Sequence, residues 1–236
     1  FPDEIECHFI SLDIIFICLP TELVLYYKNI FSKSNVLINQ IICTSYAKSI
    51  NYKKNLNLKG NLSFIDIGFN RTSIISYIDN KILSLDTLPI GGNHITKDIS
   101  QILQIDLEKS EKTKIDFDQN HKFSNFENIS IDTLQKIIFA RIEEILELCA
   151  KSIKSKSFKS GQFKIMLMGE GSKMLNNHYK DKIPFSNDVE FLEETSEDIC
   201  QSGFQFRTGL STQEVVVIPK RLIKQGLFEK LFHFFS

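Results

Sequence analysis

Three short apolar runs in close succession, Leu62–Ile67, Thr72–Ile78 and Lys81–Leu88, constrain this chain more than any other feature. Asp66 and Gly68 close the first, Asp79-Asn80 parts the second from the third, and Pro89 with Gly91-Gly92 follows. Runs of that length bounded by Gly, Asn, Asp and Pro predict strands joined by tight hairpins. From Ser100 the pattern turns helical, which puts Thr96 and Asp98 where a helix begins. A carboxylate at a strand end, before a turn with outward N–H groups, can hold a metal-bound phosphate. A Gly-Gly turn opening a helix adds donors and the positive end of a helix dipole. On spacing alone, a plain β-meander closed by a Gly-Gly loop is the commoner use of such a stretch.

Asp66-Ile67-Gly68 and residues 89–99, reading PIGGNHITKDI, resemble the bacterial cell-division FtsA family. That family shares a superfamily with actin, the heat-shock chaperone ATPases and the sugar kinases. The longer motif is the specific one, and the resemblance runs from about residue 9 to the C-terminus. It implies an α/β fold: an actin-like (ribonuclease H-like) ATPase lobe with an inserted helical subdomain and a C-terminal amphipathic helix. The implied division is 1–61 as a remnant of the first lobe and its subdomain, and 62–208 as the second lobe. The insertion would span about 97–160, with a linker over 209–218 and the terminal helix over 219–236. Asp66, Gly68 and Asn70 would then form the second phosphate loop, with Asp66 at the Mg2+ of bound ATP. The family's first phosphate loop is expected upstream of Phe1, so the chain reads as a fragment.

With 236 residues the chain is one large domain or two small ones, long enough to bury a proper core. A net charge of −1 supplies no field for a polyanion, which argues against a nucleic-acid partner. Cys7, Cys18, Cys43, Cys149 and Cys200 are odd in number and scattered, so neither a disulfide framework nor a zinc site is suggested. A reducing cytoplasm fits that usage. The N-terminal residues lack a signal-peptide pattern, and the apolar stretch 9–27 is broken by Asp13, Pro20 and Glu22. Within it, 13–19 is an expected strand, and Thr21 caps a helix running to about Phe31. Residues 36–42 read as another strand and 44–52 as a short helix.

Beyond the central stretch, 100–114 reads as a polar helix and 115–128 as a solvated loop. Ser130 caps a helix over 131–152, whose Leu134, Ile137, Ile138, Ile142, Ile145, Leu146 and Cys149 recur at helical spacing as a buried stripe. Arg141 and Glu144 lie three apart on its flank, which is an ion pair by position. The A-R-I-E-E-I run resembles the family helix that reaches the nucleotide's adenosine, which implies ribose or base contacts for both. Lys164–Met168 predicts a buried strand leading into Gly169-Glu170-Gly171-Ser172, and a strand, Gly turn and helix is a common nucleotide-site layout. By resemblance, Gly169 and Gly171 pack against adenosine as Gly91 and Gly92 face phosphate. Two positions depart from the family pattern: Glu170 replaces a glycine, and Phe69-Asn70-Arg71 replaces Gly-Gly-Thr. A ring at Phe69 stands where backbone must approach the ligand. ATP binding with weak or no hydrolysis is the expectation.

A strand and loop over 185–195, a short helix over 196–206 and a connection over 209–217 lead to the tail, PKRLIKQGLFEKLFHFFS. At 100° per residue Ile223, Leu227, Phe228, Leu231, Phe232 and Phe235 fall on one half of that helix. It is a core helix, a partner helix or an interfacial membrane anchor; four phenylalanines flanked by Lys220, Arg221 and Lys224 favour the anchor. The resemblance implies a division protein that binds ATP, polymerises on the cytoplasmic face of the inner membrane and tethers the C-terminal peptide of the ring protein FtsZ. A small-molecule kinase of the superfamily and a pilus-assembly relative are the alternatives.

Overall fold

A computed structural model describes residues 16–119, 130–156, 163–175 and 189–208. Helices α1 (Thr21–Ser32) and α2 (Thr44–Asn55) precede strands β1 (Leu62–Ile67), β2 (Thr72–Ile78) and β3 (Lys81–Leu88). Helices α3 (Gly92–Leu103), α4 (Leu107–Gln119) and α5 (Ile131–Lys156) follow. The described chain continues with β4 (Lys164–Met168), a 3-10 turn (Glu170–Leu175), β5 (Val189–Phe191) and α6 (Ser196–Thr208).

The strands form one sheet in the order β3-β2-β1-β4-β5. β1, β2 and β3 make the expected antiparallel meander, while β4 pairs parallel with both β1 and β5. A parallel neighbour needs a long crossover, and α3, α4 and α5 supply it. β1 is buried along its whole length because it is central and covered on both faces. Ile65 and Ile67 pack with Ile95 and Ile99 of α3 and with the α5 stripe from Leu134 to Cys149. Leu62 and Phe64 point the other way, into Ile75, Tyr77, Met166 and Met168, with Tyr52 of α2 against them. The period of two along a strand puts Asp66 on this second face, toward α2. The stretch 97–160, expected as an inserted subdomain, contributes α3, α4 and α5 to the same core as the sheet.

Several boundaries differ from the sequence expectation. The polar helix expected over 100–114 is two helices, because Gln104 takes a left-handed conformation at φ 53 and Asp106 restarts the chain by accepting the Lys109 N–H at 2.7 Å. α3 already begins at Gly92, so Thr96 and Asp98 lie inside it. α4 runs on to Gln119, five residues into the expected loop. Residues 36–42 form no strand, and neither do the described residues of 13–19. No strand of the described sheet lies beside them, so no ladder holds them. The stretch 209–236, with its linker and tail helix, lies outside the described residues.

Candidate functional site

The turn after β1 closes on itself, Gly68 N–H donating to Arg71 C=O at 2.9 Å. The first N–H groups of α3 dock onto that turn: Gly92 donates to Gly68 C=O at 3.0 Å and Asn93 to Phe69 C=O at 2.7 Å. The Asn93 side-chain amide donates to Asn70 Oδ1 at 2.9 Å, and the Gly91 N–H donates to His94 Nδ1 at 3.2 Å. These donors were expected to face phosphate. The Gly92 and Asn93 N–H groups are instead used to fix the turn and the Gly91 N–H to cap α3, since an unpaired N–H in so close a junction would be costly. Gly91 is required by contact: a Cβ there would stand 2.5 Å from Gly68 O and 2.9 Å from Phe69 O.

β4 brings the second glycine turn to the same place. Its register sets Met168 opposite Asp66, so Gly169 follows directly beside the end of β1. Gly169 has φ +89, and a Cβ on it would overlap Asp66 Oδ1 and lie 2.6 Å from Ile67 O. A Cβ on Gly171 would overlap Ile67 Cγ2 and stand 2.9 Å from Ile67 O. Asp66, Gly68, Asn70, Gly91, Gly92, Gly169 and Gly171 are therefore gathered at one end of the sheet.

Two residues that the sequence reading passed over sit at the centre of this cluster. Lys48 of α2 is buried with its Nζ 2.9 Å from Asp66 Oδ2 and 3.0 Å from Glu194 Oε2. Glu194 Oε2 also accepts the Gly169 N–H at 2.6 Å. One ammonium thus joins the ends of β1 and β4 to the segment after β5. α2 reaches this position through a polar face: Ser49 Oγ lies 2.8 Å from Tyr77 Oη, and Asn51 Nδ2 donates to Ser202 Oγ at 3.0 Å. Burial, and next the charge of Glu194, push the Tyr52 phenol well above its usual range. Periodicity finds apolar stripes, and α2 has none, so Lys48 carried no signal.

A cleft of about 390 Å3 opens beside the cluster, lined by Ser45, Asp66, Gly68, Phe69, Asn70, Arg71 and Ser73. Phe69 is exposed at its edge, and no backbone bond takes up the N–H of Phe69 or Asn70 among the described residues. Arg141 and Glu144 have a different setting. The Arg141 guanidinium makes a two-pronged contact with Asp98 of α3, at 2.6 and 2.9 Å, and a third contact with Glu144. Asp98 first, against a smaller cost of burial, holds its charge more firmly than usual. The helix-to-helix tie is what the sequence could not supply, as Asp98 is 43 residues away.

At the expected magnesium position Asp66 already has a cationic partner. Mg2+ takes six oxygens in near-octahedral array. In nucleotide sites one or two carboxylates, phosphates and waters supply them, and here Asp66 Oδ2 is held by the Lys48 ammonium at 2.9 Å, so the fit of the ion turns on that charge.

The sheet order, the parallel β1–β4 pair and the clustered turns define an actin-like fold. In solved structures the fold resembles the PilM of a PilM–PilN type IV pilus biogenesis complex, with TM-score 0.61 and 16% identity over 79% of this chain and 55% of that one. It also resembles MreB5 of Spiroplasma citri bound to ADP, with TM-score 0.59 and 15% identity over 80% and 66%. Residues 63–178 match the model of the cell division protein FtsA family, and the chain is FtsA-like. It is 30% identical over 156 residues to the FtsA of Buchnera aphidicola subsp. Schizaphis graminum, covering 57% of this chain and 37% of that protein. It is 34% identical over 109 residues to the FtsA of Bacillus subtilis, covering 40% and 25%. The matched stretches thus span 37% and 25% of these relatives' own lengths.

Proposed function

We propose that this chain is the nucleotide-facing lobe of a cell-division protein that binds ATP. The observation that carries the reading is the meeting of the Gly68–Arg71 turn and the Gly169 turn at Asp66, beside an open cleft. Phosphate would sit over the 68–71 turn, where the N–H groups of Phe69 and Asn70 and the Arg71 guanidinium are within the cleft's reach. By the family resemblance the Gly169–Gly171 turn, packed against β1, would back the adenosine, with Arg141 and Glu144 toward its rim. The match to FtsA and the fold shared with an ADP-bound MreB5 support the assignment. Phe69 and Arg71 in place of small residues support slow or absent hydrolysis. Titration with a fluorescent ATP analogue tests it: Gly68→Val, which fills the turn, should abolish binding. Equal binding by this variant would overturn the site.

In the same reading the protein polymerises at the inner membrane of the division site, tethers the FtsZ C-terminal peptide there and recruits later division proteins. Its tail, with Ile223, Leu227, Phe228, Leu231, Phe232 and Phe235 on one half, would lie in the membrane interface. Each fully buried large side chain contributes about 1.5–3 kcal/mol. Co-sedimentation with anionic vesicles should require residues 219–236 and be lost in Phe228→Glu. Equal sedimentation without the tail would remove the anchor.

A further inference from the structure

Lys48 stands where a cation is needed. Asp66 and Glu194 are both buried carboxylates, and leaving either unpaired would be strongly unfavourable. An ammonium is a compact point charge with three donors, and Lys48 spends contacts on both acids, at 2.9 and 3.0 Å. A magnesium ion would have to approach Asp66 to about 2.0–2.1 Å. On either oxygen of that carboxylate it would stand close to the Lys48 ammonium, a like-charge contact beside the cleft. Arg71, exposed at the mouth of the cleft that Asp66 lines, brings a second positive charge. Two carboxylates and two cations then balance.

We propose that Lys48, together with Arg71, replaces the divalent ion of this site, so that nucleotide binds without a metal on Asp66. The inference rests on the reading of the cleft as a nucleotide site. Lys48 neutralises the acids that would otherwise repel phosphate, and Arg71 meets the phosphate directly. The ligand is the free nucleotide polyphosphate rather than its magnesium complex.

The test is the affinity of the full protein for a fluorescent ATP analogue in excess magnesium and in EDTA. The two dissociation constants should agree within about threefold, well under the tenfold that 1.4 kcal/mol represents. Lys48→Met uncovers the two acids, so its binding in EDTA should fall at least about tenfold and recover with magnesium. Wild-type binding that needs magnesium by about tenfold or more overturns the role of Lys48 and leaves the nucleotide reading standing. Binding in neither condition overturns the nucleotide reading, and the inference with it. Should Lys48→Met not fold, the wild-type comparison still decides. Manganese resonance on the nucleotide-free protein gives a second readout. No bound ion is expected, and a bound ion that Asp66→Asn removes would overturn the proposal.

Discussion

Gly169 lies against Asp66 so closely that a single Cβ on the glycine would overlap the carboxylate oxygen Oδ1. The contact couples the end of β4 to the acid at the end of β1. With φ at +89, an L-residue at 169 is strained even before the collision. Gly169→Ala should therefore lose at least about 1–2 kcal/mol in urea unfolding and weaken ATP-analogue binding as Asp66 is displaced. Gly203, inside α6 with open space around it, is the contrasting site. Gly203→Ala should raise stability by about 0.5–1 kcal/mol.

The Arg141–Asp98 pair ties α5 to α3. Both side chains are about a quarter exposed, so solvent screens part of the interaction. Arg141→Ala should cost about 1–2 kcal/mol, reading the charged two-pronged contact at the lower end. If the pair acts only as this tie, Asp98→Ala should match it in both stability and nucleotide affinity, and the double variant should show coupling. If Arg141 also reaches adenosine, its loss should weaken ATP-analogue binding while Asp98→Ala leaves it unchanged.

Glu111 of α4 accepts hydrogen bonds from Thr96 and from the buried Lys114, whose Nζ also reaches the Gly92 C=O at 3.2 Å. Burial pushes the Glu111 carboxyl up, but the Lys114 and Thr96 bonds outweigh it and hold the group below its usual range. A lowered folded value means the contact is at full strength above the ordinary carboxylate range. It is lost as pH falls through the lowered value. Urea unfolding followed from neutral pH into acid should show this loss, and Glu111→Gln should flatten the acid limb.

Burial pushes the Cys149 thiol up to about 12. Cys18 and Cys200 are exposed. The thiolate is the reactive form, so a maleimide at neutral pH should label Cys18 and Cys200 and spare Cys149. Peptide mapping by mass spectrometry reads this, and Cys149 should react once denaturant is added. Labelling of the native Cys149 would place α5 off the sheet.

Patterns written in adjacent residues determined much of this fold. The three runs over 62–88 became β1, β2 and β3 at the expected bounds, since Asp79-Asn80 and the Gly and Pro positions set the turns locally. The α5 stripe is buried as its spacing predicted, because helical periodicity is a property of neighbouring residues. The strands expected at 13–19 and 36–42 are the contrary case: β-branched runs propose a strand, but only a neighbouring backbone can make one. Tertiary structure decided the rest. It turned Gly91-Gly92 from an open anion site into the fitting that holds the 68–71 turn. It also carried Lys48 to Glu194, 146 residues away, and set both against Asp66. Charge pairing is read only in space: a lysine in a polar helix and a glutamate in an acidic loop look like surface residues until the fold takes water away from both.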